Sequence, residues 1–199
     1  MAIDIAFIHF IAIIFGYILG SIPFGLVITR LTGQDDIRKI GSGNIGATNV
    51  LRTGNKVLAL ATLLLDASKG AAAALTLGSF DPLAGLIAGG FAVIGHNFPI
   101  WLNFIGGKGV ATTLGVLIAL AWPVGTTACI TWILVAFCFR ISSLAALVAL
   151  STSPFYAWWL ADDHGLTVLA ILLAILSLLR HHENIVRLMN GQESKIGNG

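Results

Sequence analysis

The chain has 199 residues, of which 57% are hydrophobic and 10% charged, and its mean hydropathy is +0.93. Soluble domains carry about 25% charged residues, so composition excludes an ordinary soluble enzyme; a polytopic membrane protein is expected, with no nucleic-acid partner. The formal net charge of +2 is small, but its distribution sets the topology.

At ~20 apolar residues per crossing, spans fall near 5–29, 57–79, 83–104, 110–122, 124–139, 141–160 and 164–180. The first run has no basic leader and no small-residue cleavage site, so it reads as a retained span and not as a secretory signal. Gly16 and Gly20 lie four apart, a spacing that lets helices approach closely, and Pro23 predicts a kink in the inner half. Gly85 and Gly89 repeat the spacing in the third span. Cys129 and Cys138 sit in apolar sequence without disulfide or metal-ligand spacing and are expected to be packing residues.

The stretch 110–139 is either one long helix or two short ones divided at Pro123, and charge decides between them. Cytoplasmic loops are enriched in Lys and Arg. If 110–139 crosses twice, the basic residues of 30–56, Lys108, Arg140 and the basic residues of 180–195 share one side, while Asp4, Asp81, Asp162 and Asp163 share the other. The expected fold is therefore all-α, a polytopic membrane helical bundle of about seven transmembrane helices, with the N-terminus outside and the C-terminus cytoplasmic. Two of these helices are shorter than the hydrocarbon core and need local thinning or burial against neighbours. Residues 1–189 are expected to form a single domain, and 190–199 a disordered polar tail.

Four polar constellations interrupt the apolar sequence. The first is Gly41-Ser42-Gly43-Asn44-Ile45-Gly46-Ala47-Thr48-Asn49, followed by Arg52. Its glycines have the spacing of a nucleotide P-loop, but Ala47 stands where the lysine belongs, which excludes that reading. What remains is a Gly-rich turn opening a helix near Ala47, with Arg52 one turn beyond Thr48 to grip a phosphate through both guanidinium prongs. The bland alternative is a loop with a positive-inside arginine.

The second is Asp66 with Lys69, three apart inside span 2, where charge is costly unless paired or facing water. It is either a structural ion pair or the floor of a polar pocket. The third is Gly95-His96-Asn97-Phe98-Pro99 leading to Gly106-Gly107-Lys108-Gly109, in which a lysine among glycines just before a helix can meet an anion as a point charge. The fourth, Arg180-His181-His182-Glu183-Asn184, closes span 7 as a basic cap suited to anionic lipid. Under the seven-span topology all four reach the same membrane face.

Taken in order, G-S-I-P-F-G, G-S-G-N-x-G-A-T-N, L-D-x-x-K-G, G-H-N-F-P with G-G-K-G-V-A-T, and the terminal R-H-x-E-N-I-x-R-L resemble the bacterial membrane acyl-phosphate:glycerol-3-phosphate acyltransferases, the PlsY family. The resemblance covers nearly the whole chain, and His182 in place of an arginine is its main departure. It implies transfer of a fatty acyl group from acyl phosphate to the 1-hydroxyl of sn-glycerol 3-phosphate, giving lysophosphatidic acid and phosphate. It also implies the bacterial inner membrane, a site facing the cytoplasm, contact with membrane lipid, and acyl phosphate supplied by a soluble phosphate acyltransferase.

On this reading Ser42, Thr48 and Arg52 meet one substrate phosphate, and Lys108 meets the second or the charge developing in the transition state. His96 orients the glycerol hydroxyl or acts as general base, and a substrate phosphate oxygen is an alternative proton acceptor. Asn44, Asn49, His181 and Asn184 supply hydrogen bonds, and Asp66 and Lys69 hold the pocket's membrane side. A rival mechanism makes Ser42 an acyl-enzyme nucleophile activated by His96.

None of the five histidines has Asp five residues later, so the H-x-x-x-x-D signature of acyl-CoA-using enzymes is missing. No G-x-S-x-G elbow or carboxylate cluster with metal spacing occurs, and no cofactor or metal is expected. The competing class is a small transporter or channel for a phosphorylated solute, which broken helices and intramembrane charges would suit. A non-catalytic scaffold leaves the converging motifs unexplained.

Overall fold

The computed structural model describes residues 4–197, and among them all regular structure is helical. The chain divides into two compact units, with the boundary between Leu120 and Ala121. The boundary falls where Pro123, at the start of the helix that follows Ala121, cannot continue the preceding helix, because its ring and missing N–H break the ladder.

The first unit contains α1 (Ile5–Gly20), α2 (Phe24–Leu31), α3 (Ala47–Leu51), α4 (Lys56–Gly78), α5 (Pro82–Asn97) and α6 (Val110–Leu120). α1 packs along α5, and α4 packs on both α5 and α6. Apolar side chains gain little by leaving lipid for protein, so close backbone approach has to supply van der Waals contact. The spacing read from the sequence does this. A Cβ on Gly20 would lie 2.1 Å from the Ala92 carbonyl oxygen, and one on Gly115 of α6 would lie 2.1 Å from that of Ala67 on α4. Ala12, Ala73, Ala84, Ala88 and Ala92 fill the resulting thin interface with Leu77.

The predicted kink is a full break. α1 ends at Gly20 and α2 starts at Phe24, with Ser21-Ile22-Pro23 between them. Beyond α2, a cluster of Leu26, Ile37, Ile45, Val50 and Ala59, with Leu102 packed against it, fastens the 37–51 segment to α2 and α4.

The acidic residues read as markers of the outer face have a local task. Asp4, Asp81 and Asp163 each accept a hydrogen bond from the first-turn N–H of Ala6, Ala84 and Leu166, respectively. They cap three helix starts.

The second unit contains α7 (Trp122–Phe139), α8 (Ser142–Tyr156), a wide π turn over Ala157–Ala161, α9 (His164–Arg180) and α10 (His182–Met189). Pro154 inside α8 removes a ladder donor just before the π turn. Cys129 is half-buried, as expected of a packing residue, but Cys138 is exposed on α7. The tail is also more engaged than expected. Glu193 accepts hydrogen bonds from Ser143 (2.8 Å), Asn184 (2.6 Å) and Arg187 (2.6 Å), and Ile196 N–H donates to the Arg140 carbonyl at 2.6 Å. Residues 198 and 199 of that expected tail lie outside the described residues.

Among the described residues, five segments are long and apolar enough to cross a membrane, or six if the α9–α10 pair, bent by 63°, is one span. The sequence count of about seven includes α6, whose 11 residues rise only about 16 Å. It is a separate helix from α7, as the charge argument requires, but too short alone for a hydrocarbon core of about 30 Å.

Candidate active site

Two polar loops and one buried charge cluster, all in the first unit, hold most of the residues singled out in the sequence. The first loop leaves the short 3₁₀ turn Ile37–Lys39 and turns sharply at Gly41 (φ +56°) and Gly43 (φ +68°), left-handed conformations that favour glycine. It ends in α3, which begins at Ala47 as predicted but runs for only five residues. The anion affinity expected of a full helix therefore contributes little here, and the side chains have to supply it.

Asn49 organises this loop. Its Oδ1 accepts from Ser42 N–H (3.1 Å) and faces Ser42 Oγ (3.4 Å), while its Nδ2 donates to the Ile37 carbonyl (2.7 Å). The residue is 2% exposed. Arg52 follows α3, and its Cδ lies 2.8 Å from where a Cβ on Gly41 would stand. Gly41 thus gives the arginine stem passage over the loop, in which Ser42 and Thr48 are exposed. Asn44 is half-buried, and its Oδ1 has no hydrogen-bond partner among the described residues.

The charge cluster joins three helices. Lys69 Nζ is 2.8 Å from Asp66 Oδ1, and His96 Nδ1 is 3.6 Å from the same oxygen. Lys69 also donates to the Ile22 carbonyl in the α1–α2 break (2.7 Å) and lies 5.7 Å from the centre of the Phe24 ring. Their side chains are between 1% and 5% exposed. The cluster is therefore the ion pair of the bland reading with a histidine added. Its charges pair with each other and with main chain.

The second loop folds back on the end of α5. Gly107 N–H donates to the His96 carbonyl (3.0 Å) and Gly106 N–H to that of Asn97 (3.2 Å). A Cβ on Gly107 would lie 2.1 Å from His96 Nε2, so only glycine lets the imidazole edge reach the main chain beside Lys108. Lys108 is half-buried, and α6 starts two residues later.

His181 and Asn184 belong to the second unit. His181 is 2% exposed, with Nδ1 2.8 Å from the Ser177 carbonyl, and Asn184 donates to Glu193. Each is embedded in the joint between α9 and α10.

Three structural features around these loops escaped the sequence reading. The Ile22 carbonyl, held by Lys69, was hidden because Pro23 signalled only a kink. Gly107 was read only as one of the glycines around Lys108, not as the seat of His96. Asn97 is wholly buried with both side-chain ends unpartnered among the described residues, and its Oδ1 would be 2.7 Å from a Cβ on Gly109. A carboxamide beside His96 in an apolar helix was the signal available.

A model of the glycerol-3-phosphate acyltransferase family matches residues 10–191. The glycerol-3-phosphate acyltransferase of Rhodospirillum rubrum is 62% identical over 191 aligned residues, 92% of this chain and 88% of that protein. The Mesorhizobium japonicum enzyme is 56% identical, over 94% of this chain and 95% of its own. The crystal structure of PlsY (YgiH), an integral membrane glycerol 3-phosphate acyltransferase, in its glycerol 3-phosphate form matches with a TM-score of 0.90 at 36% identity, covering 95% of this chain and 96% of that one. Its lysophosphatidic acid form gives 0.89 at 35%. The chain belongs to the glycerol-3-phosphate acyltransferase family.

Proposed function

We propose that this enzyme moves a fatty acyl group from acyl phosphate to the 1-hydroxyl of sn-glycerol 3-phosphate, at the cytoplasmic face of a bacterial inner membrane, in a bundle of about seven crossings. Both substrates carry phosphate, and the observation that supports the reading is the pair of polar loops in one unit, one bearing Arg52 and the other Lys108. Arg52, with Ser42 and Thr48, takes one phosphate. Lys108 takes the second and the negative charge that develops as the acyl carbon becomes tetrahedral. His96 holds the Lys108 loop, since its ring edge lies against Gly107.

The hydroxyl oxygen attacks the acyl carbonyl carbon. The bond from that carbon to the phosphate oxygen breaks, and inorganic phosphate leaves. The hydroxyl proton passes to a phosphate oxygen, so no protein base is needed. An acyl phosphate is an activated mixed anhydride, and orientation of two bound reactants contributes about 7–11 kcal/mol. Direct transfer is favoured over an acyl-Ser42 intermediate because Ser42 Oγ faces the Asn49 carboxamide oxygen, which cannot take up a proton as a base would.

The test is acyl transfer by purified protein in detergent, supplied with glycerol 3-phosphate and acyl phosphate and read as lysophosphatidic acid. Arg52→Ala and Lys108→Ala should each lower kcat/KM at least 100-fold while the protein stays folded, a loss of about 2.7 kcal/mol of transition-state stabilisation. Near wild-type rates in either variant remove that residue from the site. Uptake of glycerol 3-phosphate into vesicles without acylation would favour the transporter class.

A further inference from the structure

We infer that Asp66 is a positioning residue for acyl transfer, acting through His96 to set the loop that carries Lys108; this rests on the assignment of His96 and Lys108 to the site. The imidazole has two edges with different neighbours. Its Nδ1 edge faces Asp66 Oδ1 at 3.6 Å, and its Nε2 edge lies where a Cβ on Gly107 would come within 2.1 Å. A carboxylate on the Nδ1 side favours a proton there, and so fixes both the tautomer and the ring orientation. With the ring fixed, the main chain at Gly107 has one resting place, and Lys108 is the next residue.

Asp66 is itself held. Lys69 Nζ meets the same carboxylate oxygen at 2.8 Å and is anchored on the far side by the Ile22 carbonyl at 2.7 Å. The chain of contacts therefore runs from the α1–α2 break through Lys69, Asp66 and His96 to Gly107. A buried ion pair is seldom required for stability, since apolar residues of similar size serve as well. What it supplies here is a fixed negative edge, and the structure spends that edge on a histidine ring.

Asp66→Asn alone leaves Lys69 buried beside a neutral group, so the informative variant is Asp66→Asn/Lys69→Gln. It removes both charges and keeps a donor for the Ile22 carbonyl. Full-length protein labelled with ¹⁵N-histidine, with the His96 signal identified by its loss in His96→Gln, is expected to show Nδ1 protonated. A neutral ring protonated only on Nε2 overturns the inference without any charge variant having to fold.

In the double variant, kcat should fall about 100-fold, the scale of a 1 Å misplacement. KM for glycerol 3-phosphate should stay within threefold, and the Nδ1 proton signature should be lost. Asp66→Glu, which restores the carboxylate, should recover part of kcat. Wild-type kcat in the double variant overturns the inference. His96→Ala separates the two levels: if it is fully active, the assignment of His96 to the site fails, whereas if it is inactive while the double variant is active, only the role of Asp66 fails.

Discussion

Gly107→Ala tests whether the Lys108 loop depends on direct contact with the His96 ring. The added Cβ would stand 2.1 Å from Nε2, and separations below 3.0 Å essentially never occur for real Cβ atoms, so about 1 Å of movement is required. The ring cannot supply it. His96 is 4% exposed, and Asp66 stands 3.6 Å from its opposite edge. The loop moves instead, stretching the 3.0 Å bond from Gly107 N–H to the His96 carbonyl. Overpacking of this kind costs about 1–3 kcal/mol of stability. If Lys108 acts as proposed, displacing its ammonium by about 1 Å should cost about 100-fold in rate. The expected result in the detergent acyl-transfer assay is a kcat/KM about 100-fold below wild type. Because the clash is with one ring, Gly107→Ala/His96→Ala should be no slower than His96→Ala alone, the non-additivity that a shared contact produces. A Gly107→Ala enzyme within threefold of wild type, or a fully additive double variant, refutes the reasoning.

Asn49→Ala should lower both stability and activity, because it removes the acceptor for Ser42 N–H and the donor to the Ile37 carbonyl; about 1–3 kcal/mol is expected for buried partners left unsatisfied, and an unchanged melting temperature would contradict it. Asp36 is hydrogen-bonded by Arg38 (Nε, 2.9 Å) and flanked by Arg30 at 3.5 Å, which holds its carboxyl well below the usual carboxylate range despite some burial. With a depressed folded-state value, this stabilisation is complete above the unfolded value near 3.8 and fades as pH falls below it. Asp36→Asn should flatten that acid limb in thermal melts, by no more than about 1 kcal/mol for an accessible pair. Chelation with EDTA should leave the rate unchanged, since no three His, Cys, Asp or Glu converge among the described residues; loss with EDTA and recovery with a divalent cation would count against this.

The helices were legible because membrane hydropathy and Gly or Pro punctuation act locally. The division between α6 and α7 at Ala121 followed from Pro123 and from the charges on either side of it. The constellations were legible as groups for the same reason: a charge or a glycine cluster in apolar sequence stands out. What each group does depends on partners far along the chain. Asp66 and Lys69 are i, i+3 neighbours on α4, so their pairing could be read from spacing. The third member, His96, lies 30 residues away and arrives only when α4 and α5 pack. Asn49 reads from the sequence as a hydrogen-bond donor to substrate, while its carboxamide also holds its own loop, accepting from Ser42 N–H and donating to the Ile37 carbonyl.

The same physics accounts for where the glycines fall. In lipid, elements are held by close approach and by hydrogen bonds, and a site for two phosphates needs cations held firmly near such elements. Gly25 is where a Cβ would meet the Ile45 carbonyl oxygen at 2.1 Å, docking the first loop on α2. Gly41 admits the Arg52 stem and Gly107 admits the His96 ring. The two loops thus gain rigidity from missing side chains, while Asn49 ties the first loop together from behind and Asp66 faces the His96 ring behind the second. Substituting one of these glycines should therefore act on rate through the neighbouring cation, whereas substituting Gly20, whose Cβ would meet the Ala92 main chain at 2.1 Å, should act through stability of the α1–α5 pair.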